Sequence, residues 1–495
     1  MIKMTIAWLA IPFFIGFVIY LFPKLDRILA LGIALVSTAY AVVIFLLGSP
    51  LDIQLLDNFG VTLIIDQLSG FFILTNALVT AAVILYCWQT GKTAFFYTQL
   101  IILHGSVNAT FICADFISLY VALEVISIAS FLLIAYPRTD RSIWVGLRYL
   151  FVSNVAMLFY LVGAVLVYQA HHSFNYAGLR GSPPEAIALI FLGLLVKGGI
   201  FVSGLWLPLT HSESESPVSA MLSGVVVKAG VFPLVRCALL LAEIDPIVRF
   251  FGVATALFGV GFAVLEKDTK RMLAFHTISQ LGFVLAAPVV GGFYALTHGL
   301  VKSALFLIAG VLPSRNFKQL QQQPIDNKIW LALAIASFSI SGFPLLSGFG
   351  AKVLTSKNLL PWQVIGMNLA ALGTAISFAK FIFLPHGRRL GEGDTGGHEE
   401  RAQKKIQPGF WWAMVILLGG LIGANVFYYQ AYSLQNTIKP LATIALGWLA
   451  YLLIFKKLAI KIPRDFEQFD HLIGVMAVTL VLLFWIVWRR SQFSI

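Results

Sequence analysis

Charge is scarce in this chain: only 11% of its 495 residues are Asp, Glu, Lys or Arg, against roughly a quarter in an ordinary soluble domain. Cysteine is scarcer still. Cys87, Cys113 and Cys237 are the three present, far apart and without a C-x-x-C, metal or disulfide spacing. The chain also lacks a P-loop, a dinucleotide fingerprint after a strand, a cysteine cluster for iron–sulfur ligation and a zinc-ligand pattern. These absences argue against a soluble domain and against an independent enzyme; redox chemistry, if any, belongs to a partner, and neither a cofactor nor a metal is expected. What is present instead is apolar. Hydrophobic residues make up 59% of the chain and the mean hydropathy is +0.88, the composition of an all-α polytopic membrane protein.

Because about 20 apolar residues cross the hydrocarbon as a helix, the chain can be parsed for spans. Sixteen are expected, near 5–22, 27–47, 68–88, 97–113, 115–135, 145–170, 185–206, 217–242, 247–265, 272–290, 293–313, 328–349, 362–384, 408–430, 438–456 and 470–488. With the N-terminus outside, this parse sends Lys24, Arg27, Lys92, Arg138, Arg141, Lys267, Lys270, Arg271, Arg315, Lys318 and the basic clusters near 388–405 and 456–464 to the cytoplasmic face. The opposite loops and their edges hold only Arg180, Arg249, Lys357 and Lys439, with the terminal Lys3, Arg489 and Arg490 as the other exceptions. That asymmetry is the positive-inside rule. The net charge of +12 then marks a cytoplasmic surface in contact with anionic lipid and requires no nucleic acid. The soluble-looking stretch HGRRLGEGDTGGHEERAQKKIQ, 386–407, reads as a cytoplasmic loop.

An ionisable residue inside a span costs at least about 2.5 kcal/mol on insertion scales, so each one needs a reason. Arg148, Arg236 and Lys380 lie close enough to span ends for their side chains to reach the interface and read as structural. Glu124 lies midway along DFISLYVALEVISIASFLLIAY, and Lys197 and Lys228 lie about ten residues inside their spans. His298 and Lys302, four apart, share one helix face. Lys352 follows SFSISGFPLLSGFGAK. His276, in LAFHTISQLGF, reads as a hydrogen-bonded packing histidine.

Two of these lysines stand beside unusual stretches. KGGIFVSGLWLP and ISGFPLLSGFGAK are both apolar segments interrupted by Gly, Ser and Pro, one in each half of the chain. Paired interruptions of this kind point to broken helices, near 194–208 and 337–352, whose freed backbone can meet ions or water at membrane depth. The plainer alternative is a pair of kinked helices packed through small residues. A lysine in a low-dielectric span has its charged form disfavoured, and a nearby carboxylate favours it. Glu124 and Lys197 could thus hold a proton when close and release it when separated, with Lys228, His298, Lys302 and Lys352 as further stations.

At these residues the sequence resembles the antiporter-like subunits shared by Mrp-type cation/proton antiporters and respiratory complex I. The resemblance rests on LYVALEVISIASF, on Lys197 with WLPLTHSESESPVSAMLSGVVVKAG, on KDTKRMLAFHTISQLG, on THGLVKSALFLIAG and on SGFPLLSGFGAK, colinear over roughly 65–385. It implies two inverted five-helix repeats, 97–242 and 247–385, flanked by N-terminal spans at 1–96 and C-terminal spans at 408–495. It implies further that Glu124 and Lys197 form the charged pair of the first half-channel, that Lys228, His298 and Lys302 connect the halves, and that Lys352 serves the second. His211 keeps its place in WLPLTHSESESP, where Thr210 replaces the common alanine, and His276 stands where a small hydroxyl residue is commoner; both are candidate accessory groups.

The tail, IKPLATIALGWLAYLLIF and a last span, looks like that of a D-type Mrp protein. The resemblance therefore implies a proton-translocating subunit of a cation/proton antiporter exchanging Na+ or K+, working with other membrane subunits in a prokaryotic cell membrane or an internal energy-coupling membrane. A proton-pumping subunit of a complex I-like or inorganic-carbon-uptake assembly would share every intramembrane charge. A structural subunit that has lost conduction is the reading from another class.

Overall fold

The scarce acids open the helices. Asp66 accepts the Ser69 N–H at 2.9 Å, Asp115 that of Ser118 at 2.7 Å and Asp268 that of Arg271 at 2.9 Å, each closing an N-terminus whose first amides have no helical partner. The structure, a computed structural model, describes residues 1–56, 60–387, 406–428, 431–457, 464 and 467–493. Most of the expected loop at 386–407 lies outside the described residues.

The chain begins with α1 (Ile2–Leu21) and α2 (Asp26–Leu47), then an antiparallel hairpin of β1 (Leu51–Leu56) and β2 (Gly60–Ile65) in which Leu51 faces Ile65. This hairpin, built on the alternation in LDIQLL and GVTLII, is an addition to the expected helices. Next come α3 (Gln67–Cys87), α4 (Ala94–Thr110), α5 (Phe116–Ile134), α6 (Asp140–His171), α7 (Pro184–Gly198), α8 (Trp206–Glu213), α9 (Ser216–Met221) and α10 (Val227–Leu240). They are followed by α11 (Asp245–Leu265), α12 (Thr269–Ala286), α13 (Gly291–Ala309), α14 (Phe317–Leu320), α15 (Asn327–Ser341), α16 (Ser347–Lys357) and α17 (Val364–Ile382), and then by α18 (Pro408–Val426), α19 (Leu434–Ala450) and α20 (Phe469–Phe493).

Thirteen helical stretches among the described residues are long and apolar enough to cross a membrane, and the chain is a multi-pass integral membrane protein. The remaining three of the sixteen expected positions hold helices of another kind: α4 is 17 residues long, α12 carries Lys270 and Arg271, and α15 is 15 residues long and separated from α16 by a break.

The two expected breaks are present. α7 ends on Gly199 at φ +65°, and a 3-10 turn, Phe201–Leu205, leads into α8. α15 ends on Gly342 at φ +88°, and α16 starts at Ser347. Only glycine takes such angles freely. A side chain at 342 would also meet Lys352 Cδ at 2.9 Å.

Every residue of α12 and α13 is buried, the pattern of helices surrounded by other helices. The last helix, α20, returns to the first half, where it packs on α7 and α6, while α19 packs on α17. Just ahead of α20, Glu467 binds the Arg271 guanidinium through both carboxylate oxygens, Arg271 Nε also reaches Glu266 at 3.1 Å, and Arg148 donates to the Glu467 carbonyl. Arg236 is likewise paired with Asp66, and Lys380 donates to the carbonyls of Ala263, Val264 and Glu266 at the end of α11, at 2.7–3.2 Å. Arg148, Arg236 and Lys380 are therefore structural, but through buried partners within the protein rather than by reaching the interface. Burial opposes ionisation of Asp66, yet Arg236 and the Ser69 N–H outweigh it and hold the carboxyl below its ordinary value.

Removing one partner from a buried ion pair leaves an uncompensated charge and destabilises by about 3 kcal/mol. Glu467→Ala should therefore lower the thermal unfolding midpoint of the detergent-purified protein clearly. An unchanged midpoint would show that the cluster does not hold α20 in place.

Candidate functional site

Lys197 lies in the last turn of α7, 3% exposed. Its ammonium group donates to Ser127 Oγ on α5 and, at 2.8 Å, to Ser153 Oγ on α6; the two hydroxyls are 3.0 Å apart. Three helices thus contribute to one cradle, and Trp206 Nε1 binds the Val196 carbonyl at 2.9 Å, fastening α8 back onto the end of α7. The cleft beside Lys197, between Tyr149, Ser153 and Trp206, has no room for a water molecule.

Glu124 lies one turn before Ser127 on α5, half-buried, next to the outward-facing Val121 and Ile128. It makes no ion pair with Lys197 among the described residues, and its Oε1 is buried without a partner. The expected pair is therefore present as neighbours on converging helices with the contact open.

Lys228 is fully buried, two residues past a π-turn, Leu222–Val226, that joins α9 to α10. Its Nζ lies 3.2 Å from the Ser223 carbonyl and 3.3 Å from His298 Nδ1 on α13. One turn further along α13, Lys302 donates to the Leu273 carbonyl of α12 at 2.5 Å. No direct hydrogen bond joins Lys197 to Lys228 among the described residues; the helices carrying them meet where Gly230 lies against the Gly198 backbone.

From Lys302 the polar line continues along α12. Leu273, His276, Gln280 and Phe283 recur at helical spacing and share one face, over about 15 Å of helix rise. Gln280 accepts from Tyr294 Oη at 2.7 Å and donates to Thr374 Oγ1 at 3.3 Å. His276 packs its ring on Phe378 at 4.8 Å, and neither of its nitrogens has a partner among the described residues. The expectation of a hydrogen-bonded packing histidine is thereby corrected: the ring is packed on Phe378, which offers no acceptor, and no described residue bonds either nitrogen. His211 is similar, stacked on Phe306 at 4.6 Å with both nitrogens unpartnered.

The line ends at Lys352. Its ammonium group lies over the Phe283 ring at 5.6 Å and reaches back across the break to the Ser341 carbonyl at 3.2 Å. Lys197 precedes its break in sequence and Lys352 follows its own; Lys197 belongs to the last turn of α7 but bonds hydroxyls of α5 and α6, whereas Lys352 bonds the electronegative C-terminal end of α15, a favourable place for a cation. Lys352 also lines a cavity of about 550 Å³ between α16, α17 and α19, with Lys357, Asn368, Gln435 and Lys439 in its wall. One end of the line is dry and the other is wide enough for water.

Ser127, Ser153, Ser223, Gln280 and Tyr294 were missed by sequence reasoning, since hydroxyl and amide residues in spans are ordinary. Spacing could have found two of them: Ser127 is one turn from Glu124, and Gln280 one turn from His276.

A helical membrane protein with a line of buried lysines and histidines running between two helix breaks is of the ion-translocating class. A family profile described as "NADH:quinone oxidoreductase/Mrp antiporter, TM" matches residues 113–377, and the chain belongs to that family. It is 29% identical over 393 residues to the D component of the Na(+)/H(+) antiporter of Alkalihalophilus pseudofirmus, an alignment covering 71% of this chain and 79% of the relative. It is also 29% identical over 392 residues to the N component of the NADH-quinone oxidoreductase of Desulforudis audaxviator, covering 71% and 76%. Its fold matches a chain in the structure of the Mrp complex from Dietzia sp. DQ12-45-1b with a TM-score of 0.71 at 19% identity, over 94% of this chain and 99% of the other.

A buried ammonium group keeps most of its stabilisation if one of two acceptors survives, and loses about 1–3 kcal/mol or more when none does. Ser127→Ala and Ser153→Ala should therefore each lower the unfolding midpoint slightly, and the double substitution by more than their sum. Simple additivity would contradict the shared cradle.

Proposed function

We propose that this chain translocates protons along Glu124, Lys197, Lys228, His298, Lys302 and Lys352, as a subunit of a multi-subunit monovalent cation/proton antiporter. The observation that carries the reading is the succession of these groups between the first helix break and the second, with Lys228 bonded to His298 and Lys302 one turn beyond, in a chain similar to the D component of an Na(+)/H(+) antiporter. The segments 97–242 and 247–385 are the two repeats, and each contributes one break and its lysine. His211 and His276 are accessory bases that can accept a proton from the line.

In the arrangement seen here Lys197 is held by two serines while Glu124 stands open. A proton on Lys197 is stabilised when Glu124 closes on it and is passed on when Glu124 withdraws. Lys228 receives it, His298 and Lys302 carry it to α12, and Lys352 exchanges it with water in the cavity. Cation exchange and partner choice belong to the assembly, whose other members are membrane subunits.

A second reading has its own observation: the equal identity to the N component of an NADH-quinone oxidoreductase. In that case the same line would pump protons in a complex I-like assembly, driven by chemistry in a partner. A non-conducting role does not account for Glu124, Lys197, Lys228 and Lys352 together within the spans, given their insertion cost.

The test is gentle co-purification from the native membrane, identification of partners by mass spectrometry, and proton flux in vesicles with Na+ or K+ present. Lys197→Ala should abolish cation-dependent flux while the chain still inserts and assembles. Redox partners without cation dependence would favour the second reading, and unchanged flux in the variant would remove Lys197 from the path.

A further inference from the structure

Among the described residues five non-glycine positions take left-handed backbone angles, and two of them lie inside the helix breaks: Phe201 at φ +53° and Leu345 at φ +78°. Such angles are strained for residues with a side chain and persist only where surrounding groups impose them. In both breaks the imposing group is a hydroxyl. The Phe201 N–H donates to Thr255 Oγ1 of α11 at 3.1 Å, and the Leu345 N–H donates to Tyr432 Oη at 2.8 Å.

Each hydroxyl is itself fixed. Thr255 is fully buried and donates onward to the Phe251 carbonyl at 2.5 Å, while Phe251 and Phe258, one turn to either side on α11, contact the Phe201 ring. Tyr432 Oη is bound by the Asn425 side-chain amide at 2.9 Å, and its ring packs on Phe349 at 4.6 Å, one turn before Lys352 on α16. Each hydroxyl also comes from outside the repeat it holds. Thr255 belongs to the second repeat and serves the break beside Lys197, and Tyr432 follows α18 and serves the break beside Lys352.

We propose that Thr255 and Tyr432 are positioning residues for proton transfer, two hydroxyl pins that hold the broken helices in the geometry their lysines need. The proposal rests on the translocation reading above and assigns roles that the lysine line does not require by itself. The amide at the left-handed residue has lost its helical acceptor, and the hydroxyl replaces it. Without the hydroxyl the N–H would lose its partner, the strained angle would relax, and the half-helix carrying or facing the lysine would turn away from its neighbours; at the part-buried Phe201 a donor would also be left unpaired inside the protein, whereas at the exposed Leu345 the loss is of the geometric constraint alone. Thr255 further ties the two repeats together, since α11 opens the second while its hydroxyl fixes the break of the first.

The experiment measures cation-dependent proton flux against pH in vesicles holding the native assembly, for Thr255→Val, Thr255→Ser, Tyr432→Phe, Leu345→Gly and the pair Leu345→Gly with Tyr432→Phe, with Lys197→Ala alongside. Loss of one hydrogen bond, at about 1 kcal/mol or a little more, corresponds to about tenfold in rate. Flux should fall about that much in Thr255→Val and Tyr432→Phe with a shifted pH profile, and stay near wild type in Thr255→Ser. It should recover in part when Leu345→Gly, which takes the left-handed angle freely, is added to Tyr432→Phe. Normal flux and an unshifted profile in Thr255→Val and Tyr432→Phe, with Lys197→Ala inactive, would overturn the pins and leave the translocation reading standing. Flux surviving in Lys197→Ala would overturn that reading itself. If a variant fails to assemble, hydrogen exchange of the wild-type chain decides: slow exchange at Phe201 and Leu345 supports the pins, and fast exchange at both overturns them.

Discussion

Taking an ammonium group out of water is the constraint around which this structure is organised. Lys197, Lys228, Lys302 and Lys352 each need an acceptor at membrane depth, and the protein supplies it in three ways. The hydroxyls of Ser127 and Ser153 serve Lys197, and His298 serves Lys228. Backbone carbonyls serve the others, at Leu273 for Lys302 and at the end of α15 for Lys352. Carboxylates are almost absent from the line. Among the described residues Glu124 is the acid beside it, and its Oε1 has no partner there. A cation bound only by neutral acceptors is held less firmly than one in an ion pair, which suits a site that has to release a proton as well as hold it. The buried ion pairs, at Arg271–Glu467 and Arg236–Asp66, include none of the line's lysines and fasten helices together.

The breaks follow from the same constraint. An uninterrupted helix offers no spare carbonyl in mid-membrane, whereas a helix that stops on a left-handed glycine exposes several, together with the negative end of its dipole. Gly342 therefore does more than bend the chain: it frees the Ser341 carbonyl that Lys352 binds, while Gly199 ends α7 beside Lys197. The π-turn before Lys228 is a third departure from the regular ladder, and again a lysine meets a backbone carbonyl there, that of Ser223. The fully buried helices α12 and α13 close the line off from lipid, and the cavity at Lys352 opens it to water at one end.

Much of this was legible in the sequence because apolar spans make any charge conspicuous. Every lysine of the line stood out, and glycine and proline beside two of them marked the breaks. The hairpin at 51–65 went unseen because short alternating runs between long spans carry little signal. The serine cradle and the α12 track were unseen because Ser127, Ser153 and Gln280 are unremarkable in composition; only their convergence in space gives them meaning. The structural arginines were read correctly as structural, but their partners were not foreseeable: Asp66 is 170 residues from Arg236, and Glu467 is 196 from Arg271. His276 was misread because burial of a histidine ordinarily implies a hydrogen bond, and here the neighbouring ring is Phe378.

The central claim is that one connected line, and not two independent half-sites, carries protons from the first break to the second. Lys228 is the link between them, so the most direct measurement is proton flux in vesicles holding the assembly with Lys228→Met, which keeps the length of the side chain and removes its charge. The account predicts that flux falls to background while the assembly stays intact. Flux at the wild-type level would contradict it.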